Sequence, residues 1–362
     1  MGSNSLSAAF NSLKSSNLIS WKSTGTLQQT LAGCIELMGK TLHSGKVSMV
    51  KIWPGFAGEG RYFEFQSKLI PACIDFAQES PLCTTLCKDG YKIRTVEHLL
   101  SALEARGIDN CRIQIQSFGS EDPEVEVPIF DGSASAWVEA IDKVGRKEAL
   151  DRCGNNAEKL APYLNEPLHV SRNDSFMVAF PSPKVRISYG IDFPKVPAIG
   201  CQWFSSTAFG DFYKKHIASS RTFCIYEEVE QMRNAGLIKG GSLDNAIVCS
   251  ASKGWLNPPL RFHDEPCRHK VLDLIGDLSL FASPGSQGFP VAHIVAFKWL
   301  KMINAMCKLN LRSVDMDLSF MPWVAIHYML ILYADYLESY EQHKLYLFRI
   351  SLVEWSKVYL LV

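Results

Sequence analysis

Between residues 25 and 75 the chain alternates short strand-like runs with turn residues. The stretch GCIELMGKTLHSGKVSMVKIWP predicts hairpin material turning at His43-Ser44-Gly45, because apolar positions recur every second residue around a glycine-containing turn. The period then changes. In TVEHLLSALEARG the apolar stripe Leu99, Leu100 and Leu103 has helical spacing, Thr95 is placed to cap the start and Gly107 to stop the helix. Strands are expected at CRIQIQ and VEVPIF, then a turn at Asp131-Gly132 and a second helix over ASAWVEAIDKVG that ends at Gly145. Residues 150–165 are polar and irregular, which predicts a linker. Beyond it, FMVAF, KVRISYGIDF and SRTFCIY predict strands, EEVEQMRNAG a helix, Gly240-Gly241 a turn and NAIVCS a strand. RHKVLDLIGDLSLFA predicts a further helix and VAHIVAF a final strand. Strands mixed with a few helices on each side of one linker predict an α+β protein of two domains, residues 25–149 and 166–298.

Length and composition bound the function. A chain of 362 residues suits about two domains. Its 37 basic and 37 acidic residues cancel without a basic tract, so a role on nucleic acid is not expected. Hydrophobic residues at 47% and charged residues at 20% exclude disorder over the whole length. No acidic residue precedes Glu36, and residues 1–24 hold eight serines, which predicts an organellar transit peptide or a disordered start. The eleven cysteines show no disulfide spacing, so free thiols in a reducing compartment are expected. The longest apolar run, Phe320 to Ala334, contains Pro322 and His327 and is too short for a transmembrane span. All 24 glycines lie at or before Gly288, whereas the last 74 residues carry half of the methionines and half of the tyrosines. Residues 299–362 therefore differ in composition from the rest.

Two helices carry candidate chemistry. At about 100° per residue, His269, Asp273 and Asp277 share an arc of about 80°, opposite Val271, Leu272, Leu274, Ile275 and Leu278. His and Asp one turn apart can reach one ion, but the same pattern also describes a solvated face with a local His–Asp contact. Glu97-His98 opens its helix, where a metal-binding imidazole could sit beside a general base. The bland alternative is a surface His next to a Glu that complements the helix dipole. A catalytic zinc takes three protein ligands and keeps one position open. His98, His269 and Asp273 supply three, with Glu97 as base. His263, Cys267 and His269 form a competing set, ranked lower because Pro266 breaks that segment.

Four stretches, TVEHLLSALEARGIDNCRIQI, EVPIFDGSASAW, SRTFCIYEEVEQMRNAGLIKGGSLDNAIV and RHKVLDLIGDL, together resemble the UDP-3-O-acyl-N-acetylglucosamine deacetylases, the zinc amidases of lipid A biosynthesis. The resemblance spans about residues 26–298 and is closest to plant organellar members. It implies two similar α+β domains packed face to face with the active site between them. It also implies a zinc ion on His98, His269 and Asp273, Glu97 as general base, and Thr222 as a hydroxyl that stabilises the oxyanion. Phe223 would touch the sugar and Lys270 would sit near the nucleotide phosphates. The segment after Phe223 would shape the acyl-chain passage. A monomer acting on a nucleotide-sugar lipid in the mitochondrion is implied.

One part of the family pattern is missing. The family places a Gly-His motif just after the strand that reads VAHIVAFK here, and Asp277 aligns with the Asp that holds that histidine. In this chain Lys298 is followed by Trp299-Leu300-Lys301, which puts Lys301 in the histidine's place, and no Gly-His occurs downstream. His293 lies earlier, inside the strand, and is not expected to substitute. Loss of a general acid typically costs about 10²–10⁴ in rate. The expectation is a zinc-loaded deacetylase of reduced activity, and the alternative a catalytically silent paralogue that still binds zinc and nucleotide-sugar lipid.

Overall fold

A computed structural model describes residues 18–298, apart from residues 79, 81, 119–121 and 207–208. The tail 299–362, including Lys301, and the first 17 residues lie outside the described part. The architecture is mixed α+β. Five α-helices occur among the described residues: α1 (Glu97–Ala105), α2 (Ser135–Val144), α3 (Asp211–His216), α4 (Tyr226–Asn234) and α5 (Glu265–Leu278).

Two five-stranded sheets share one topology. In the first, the order is Ile35–Lys40, Val47–Pro54, Cys111–Ser117, Arg61–Phe65, Lys68–Pro71. In the second it is Leu168–Arg172, Ser175–Pro181, Ala292–Phe297, Arg186–Phe193, Gly200–Ser206. Each sheet consists of two hairpins with a late strand inserted between them. That late strand runs antiparallel to the first hairpin and parallel to the second. A parallel neighbour requires a crossover. In the first half the crossover contains α1 and in the second α5. The expected hairpin is present, with Lys40 opposite Val47 across the His43-Ser44-Gly45 turn.

The two crossover helices pack on each other. All nine residues of α1 are buried, polar ones included. Gly276 of α5 lies against the start of α1, where a Cβ would fall 2.1 Å from the Glu97 carbonyl oxygen. Only glycine lets the helices approach this closely. The far end of α1 is also fastened. Glu104 pairs with Arg61 at 2.6 Å and accepts the Gly288 and Phe289 backbone N–H groups at 3.1 and 2.8 Å.

Four expectations need correction. Ile19–Leu27 is a strand paired with Glu158–Leu164, so residues 19–24 belong to the fold and not to a leader ending at residue 24. The same pairing means that the 150–165 segment is not wholly irregular. Long-range pairing gave both stretches an ordered backbone that their polar composition did not advertise. Thr95 does not cap α1: Val96 precedes the helix, while Thr95 sits at φ 59° and donates its hydroxyl to Glu126 at 2.9 Å. A buried carboxylate that needs donors outcompeted the helix end. Pro266 does not break the chain ahead of α5 either. It lies in the helix's first turn, where a missing N–H costs nothing.

Candidate active site

The crossing of α1 and α5 places His98 and Glu97 beside His269, Asp273 and Asp277. The ligand atoms of His98, His269 and Asp273 all lie within 4.8 Å of one another. The two imidazoles meet edge to face, centroids 5.0 Å apart. Both Nε2 atoms lie 3.4 Å from Asp273 Oδ1. That oxygen is buried and has no hydrogen-bond partner. A buried carboxylate oxygen left unpaired between two imidazole nitrogens is costly unless a cation joins them, so the donor set fits a metal ion. Asp273 itself keeps 21% of its side chain exposed, leaving an open side to the cluster.

Electrostatics suit the same use. His269 directs Nδ1 at the Ser220 carbonyl oxygen, 3.0 Å away, so that nitrogen donates and Nε2 keeps its lone pair toward the cluster. Burial pushes the His269 imidazolium down to about 4, against the attraction of Asp273. Burial would raise Asp273, but His269, Lys270 and His98 around it hold it well below the usual carboxylate range. At neutral pH the cluster thus offers a neutral imidazole and an ionised carboxylate, the forms that bind metal.

The remaining residues surround this cluster. Lys270 donates to Asp273 Oδ2 at 3.0 Å and lies 5.7 Å from the centre of the Phe223 ring. Phe223 opens the strand Phe223–Ile225, edge to face with Phe193 at 5.6 Å. Thr222 precedes it and donates its N–H to the Gly132 carbonyl at 2.7 Å. Gly132, at φ +85°, supplies the turn that permits this approach. Arg221, one residue earlier, forks onto Glu265 at the start of α5 at 2.9 and 3.1 Å, fixing the SRTF segment beside the helix that carries His269.

Glu97 and Asp277 are both buried, so neither belongs to a solvated face. The surface readings of His98 and His269 fail for the same reason, since only 5% and 1% of these residues is exposed. The competing ligand set does not assemble. The His263 side chain is 90% exposed, and Cys267 donates its thiol to the Tyr189 carbonyl. His293 lies in its strand with Nε2 3.1 Å from Ser188 Oγ.

Sequence reasoning missed Thr84. Its N–H donates to Glu97 Oε2 at 3.1 Å and its hydroxyl to Asp277 Oδ1 at 2.6 Å. It missed as well a buried cluster ahead of α1, in which Glu126 accepts the His43 ring, the His43 and Ser44 backbone N–H groups and the Thr95 hydroxyl. No local periodicity marks either set, because their partners come from distant parts of the chain.

The UDP-3-O-acyl N-acetylglycosamine deacetylase (LpxC) family matches residues 28–306. The chain belongs to this family. The match runs eight residues beyond Lys298, further than the resemblance was expected to extend. A relative named probable UDP-3-O-acyl-N-acetylglucosamine deacetylase 1, mitochondrial, from Arabidopsis thaliana is 64% identical over 290 residues, covering 80% of this chain and 89% of its own. UDP-3-O-acyl-N-acetylglucosamine deacetylases of the cyanobacteria Thermosynechococcus vestitus and Trichormus variabilis are 44% and 45% identical, each over 75% of this chain and 90% and 93% of their own. The family stretches thus include both helices that build the cluster. No helix among the described residues is long and apolar enough to cross a membrane.

Proposed function

We propose that the chain hydrolyses the acetamide of UDP-3-O-acyl-N-acetylglucosamine to the free amine and acetate, an early step of lipid A biosynthesis, with zinc held by His98, His269 and Asp273. The observation that carries this reading is the convergence of two imidazoles and a carboxylate at the crossing of α1 and α5, with Glu97 at the same helix start. Zinc bound there would polarise the acetamide carbonyl and acidify a water molecule. Glu97, held by the Thr84 N–H, takes the proton of the attacking water. The Thr222 hydroxyl donates to the oxyanion. Phe223 lies against the sugar, and Lys270, over its ring, supplies the cation for the nucleotide phosphates. Asp277 aligns with the carboxylate that holds the family's proton donor to the leaving amine, a place in which this chain has Lys301.

The two sheets of identical strand order support two similar domains within residues 25–149 and 166–298, closing on the site, with the strand pair Ile19–Leu27 and Glu158–Leu164 reaching outside both bounds. The acid-free N-terminus and the mitochondrial label of the plant relatives support import into mitochondria. The enzyme acts as a monomer on a nucleotide-sugar lipid. The test is acetate release from UDP-3-O-acyl-N-acetylglucosamine by the full-length, zinc-loaded chain, with size-exclusion chromatography for its oligomeric state. Absence of acetate release at any zinc loading refutes the enzymatic reading.

A second reading rests on Trp299-Leu300-Lys301, which stands where the family's Gly-His is expected. In it the chain binds zinc and nucleotide-sugar lipid without turnover. Metal analysis cannot separate the two readings, because both require zinc, whereas turnover can.

A further inference from the structure

We propose that Thr84 is a positioning residue for the deacetylation, orienting the Glu97 carboxylate through its backbone N–H and the Asp277 carboxylate through its hydroxyl. The proposal rests on the deacetylase reading above. Thr84 is 2% exposed. It precedes the strand Thr85–Lys88, whose register sets Thr85 opposite Arg94. Its carbonyl accepts the Val96 N–H at 3.3 Å, its N–H reaches Glu97 Oε2 at 3.1 Å, and its hydroxyl reaches Asp277 Oδ1 at 2.6 Å. All three polar groups of one residue are therefore spent on the chain just ahead of α1, on the first carboxylate of α1 and on the last carboxylate of α5.

Glu97 and Asp277 come from opposite halves of the molecule, and both are buried. Two carboxylates on crossing helices repel each other and can rotate unless donors fix them. A hydrogen bond to an ionised group is roughly twice as strong as a neutral one and is directional. Reacting geometry is sensitive to displacements of about 1 Å, so a residue that fixes two carboxylates at once controls rate more than substrate binding.

The contacts distinguish the residue types. Serine keeps the N–H and the hydroxyl. Valine has the shape of threonine and keeps the N–H, but it loses the bond to Asp277. The experiment is steady-state kinetics and zinc content of the full-length, zinc-loaded chain as wild type, Thr84→Val, Thr84→Ser, Asp277→Asn and the Thr84→Val/Asp277→Asn double variant. Thr84→Val should lower kcat about 10- to 100-fold with KM changed by less than about twofold, the cost of one hydrogen bond to a charged group. Zinc content should stay at the wild-type level, and Thr84→Ser should recover most of kcat. In the Asp277→Asn background the valine should cost no more than about fivefold, because the amide oxygen still accepts the hydroxyl but without the charge that strengthens the bond. If Thr84→Val does not accumulate as folded protein, Thr84→Ala replaces it, with the same expectations.

A kcat unchanged in Thr84→Val, an equal loss in Thr84→Ser, an additive loss in the double variant, or zinc lost with the hydroxyl overturns the proposal. An active wild type with an unaffected Thr84→Val removes only the role of Thr84. A wild type without turnover removes the deacetylase reading and this proposal together.

Discussion

Neutral imidazole is the form a metal ligand needs, and at His269 burial supplies it while the Ser220 carbonyl selects which nitrogen faces the cluster. Asp273 then provides the negative charge, with Lys270 beside it. Replacing Asp273 with Ala should release bound zinc, measured by atomic absorption after gel filtration, and full retention of metal would refute that ligand. Glu97→Gln is the complementary change. It should keep the metal and lower kcat by about 10²–10⁴. The buried Glu126 gives a pH prediction. Burial would raise its carboxyl, but the His43 ring and the His43 and Ser44 backbone N–H groups hold it at about 2, below the ordinary 4.5. A carboxyl lowered on folding stabilises the native state above its unfolded value, and that contribution disappears as pH falls through the folded value. Urea unfolding should show Glu126→Gln less stable than wild type by about 3 kcal/mol at neutral pH, with the gap closing between pH 4.5 and about 2. A gap that is constant with pH would mean that the carboxylate's charge does not matter.

At the scale of elements, the site is made by one helix crossing. Gly276 sits where any Cβ would collide with the Glu97 carbonyl, and no backbone atom there can yield cheaply. Gly276→Ala should destabilise the protein by about 1–3 kcal/mol, the usual cost of overpacking, and weaken zinc binding by moving His98 away from Asp273. Thermal unfolding and chelator competition measure the two effects; stability lost without any change in zinc affinity would mean that the crossing does not set the ligand geometry. At the other end of α1, Glu104 neutralises the buried Arg61 and holds the backbone at residues 288–289, so it joins the first half of the chain to the second. Removing one partner of such a buried pair leaves an uncompensated charge. Glu104→Ala should therefore cost about 3–5 kcal/mol in chemical denaturation.

For the whole molecule, the matching strand orders mean that α1 and α5 occupy equivalent crossovers, one in each half, and each brings part of the site. Neither half carries the whole cluster: His98 lies on one side of the 150–165 segment, His269 and Asp273 on the other. The family match ends at residue 306 and so includes the Trp299-Leu300-Lys301 segment. Changing Leu300 to Gly and Lys301 to His would restore the family motif. On the reading that Lys301 stands in place of the general acid, kcat should rise by about 10²–10⁴ on UDP-3-O-acyl-N-acetylglucosamine. Equal and high activity before and after the change would show that the chain is not impaired.

Periodicity alone was enough for the helices that matter and for the hairpin at His43-Ser44-Gly45, because amphipathic spacing is written locally. The residues that meet at the crossing were candidates in the sequence too, although each helix by itself admitted a solvated, chemically silent reading. What the sequence left open was convergence. His98 and Asp273 lie 175 positions apart by number (273 less 98), and only the paired crossovers and the bare Cα of Gly276 bring them within reach. The strand at Ile19–Leu27, the use of Thr95 on Glu126 and the double contact of Thr84 were likewise decided in three dimensions. In each case polar groups of the backbone or of a side chain took partners that the local sequence pattern does not mark.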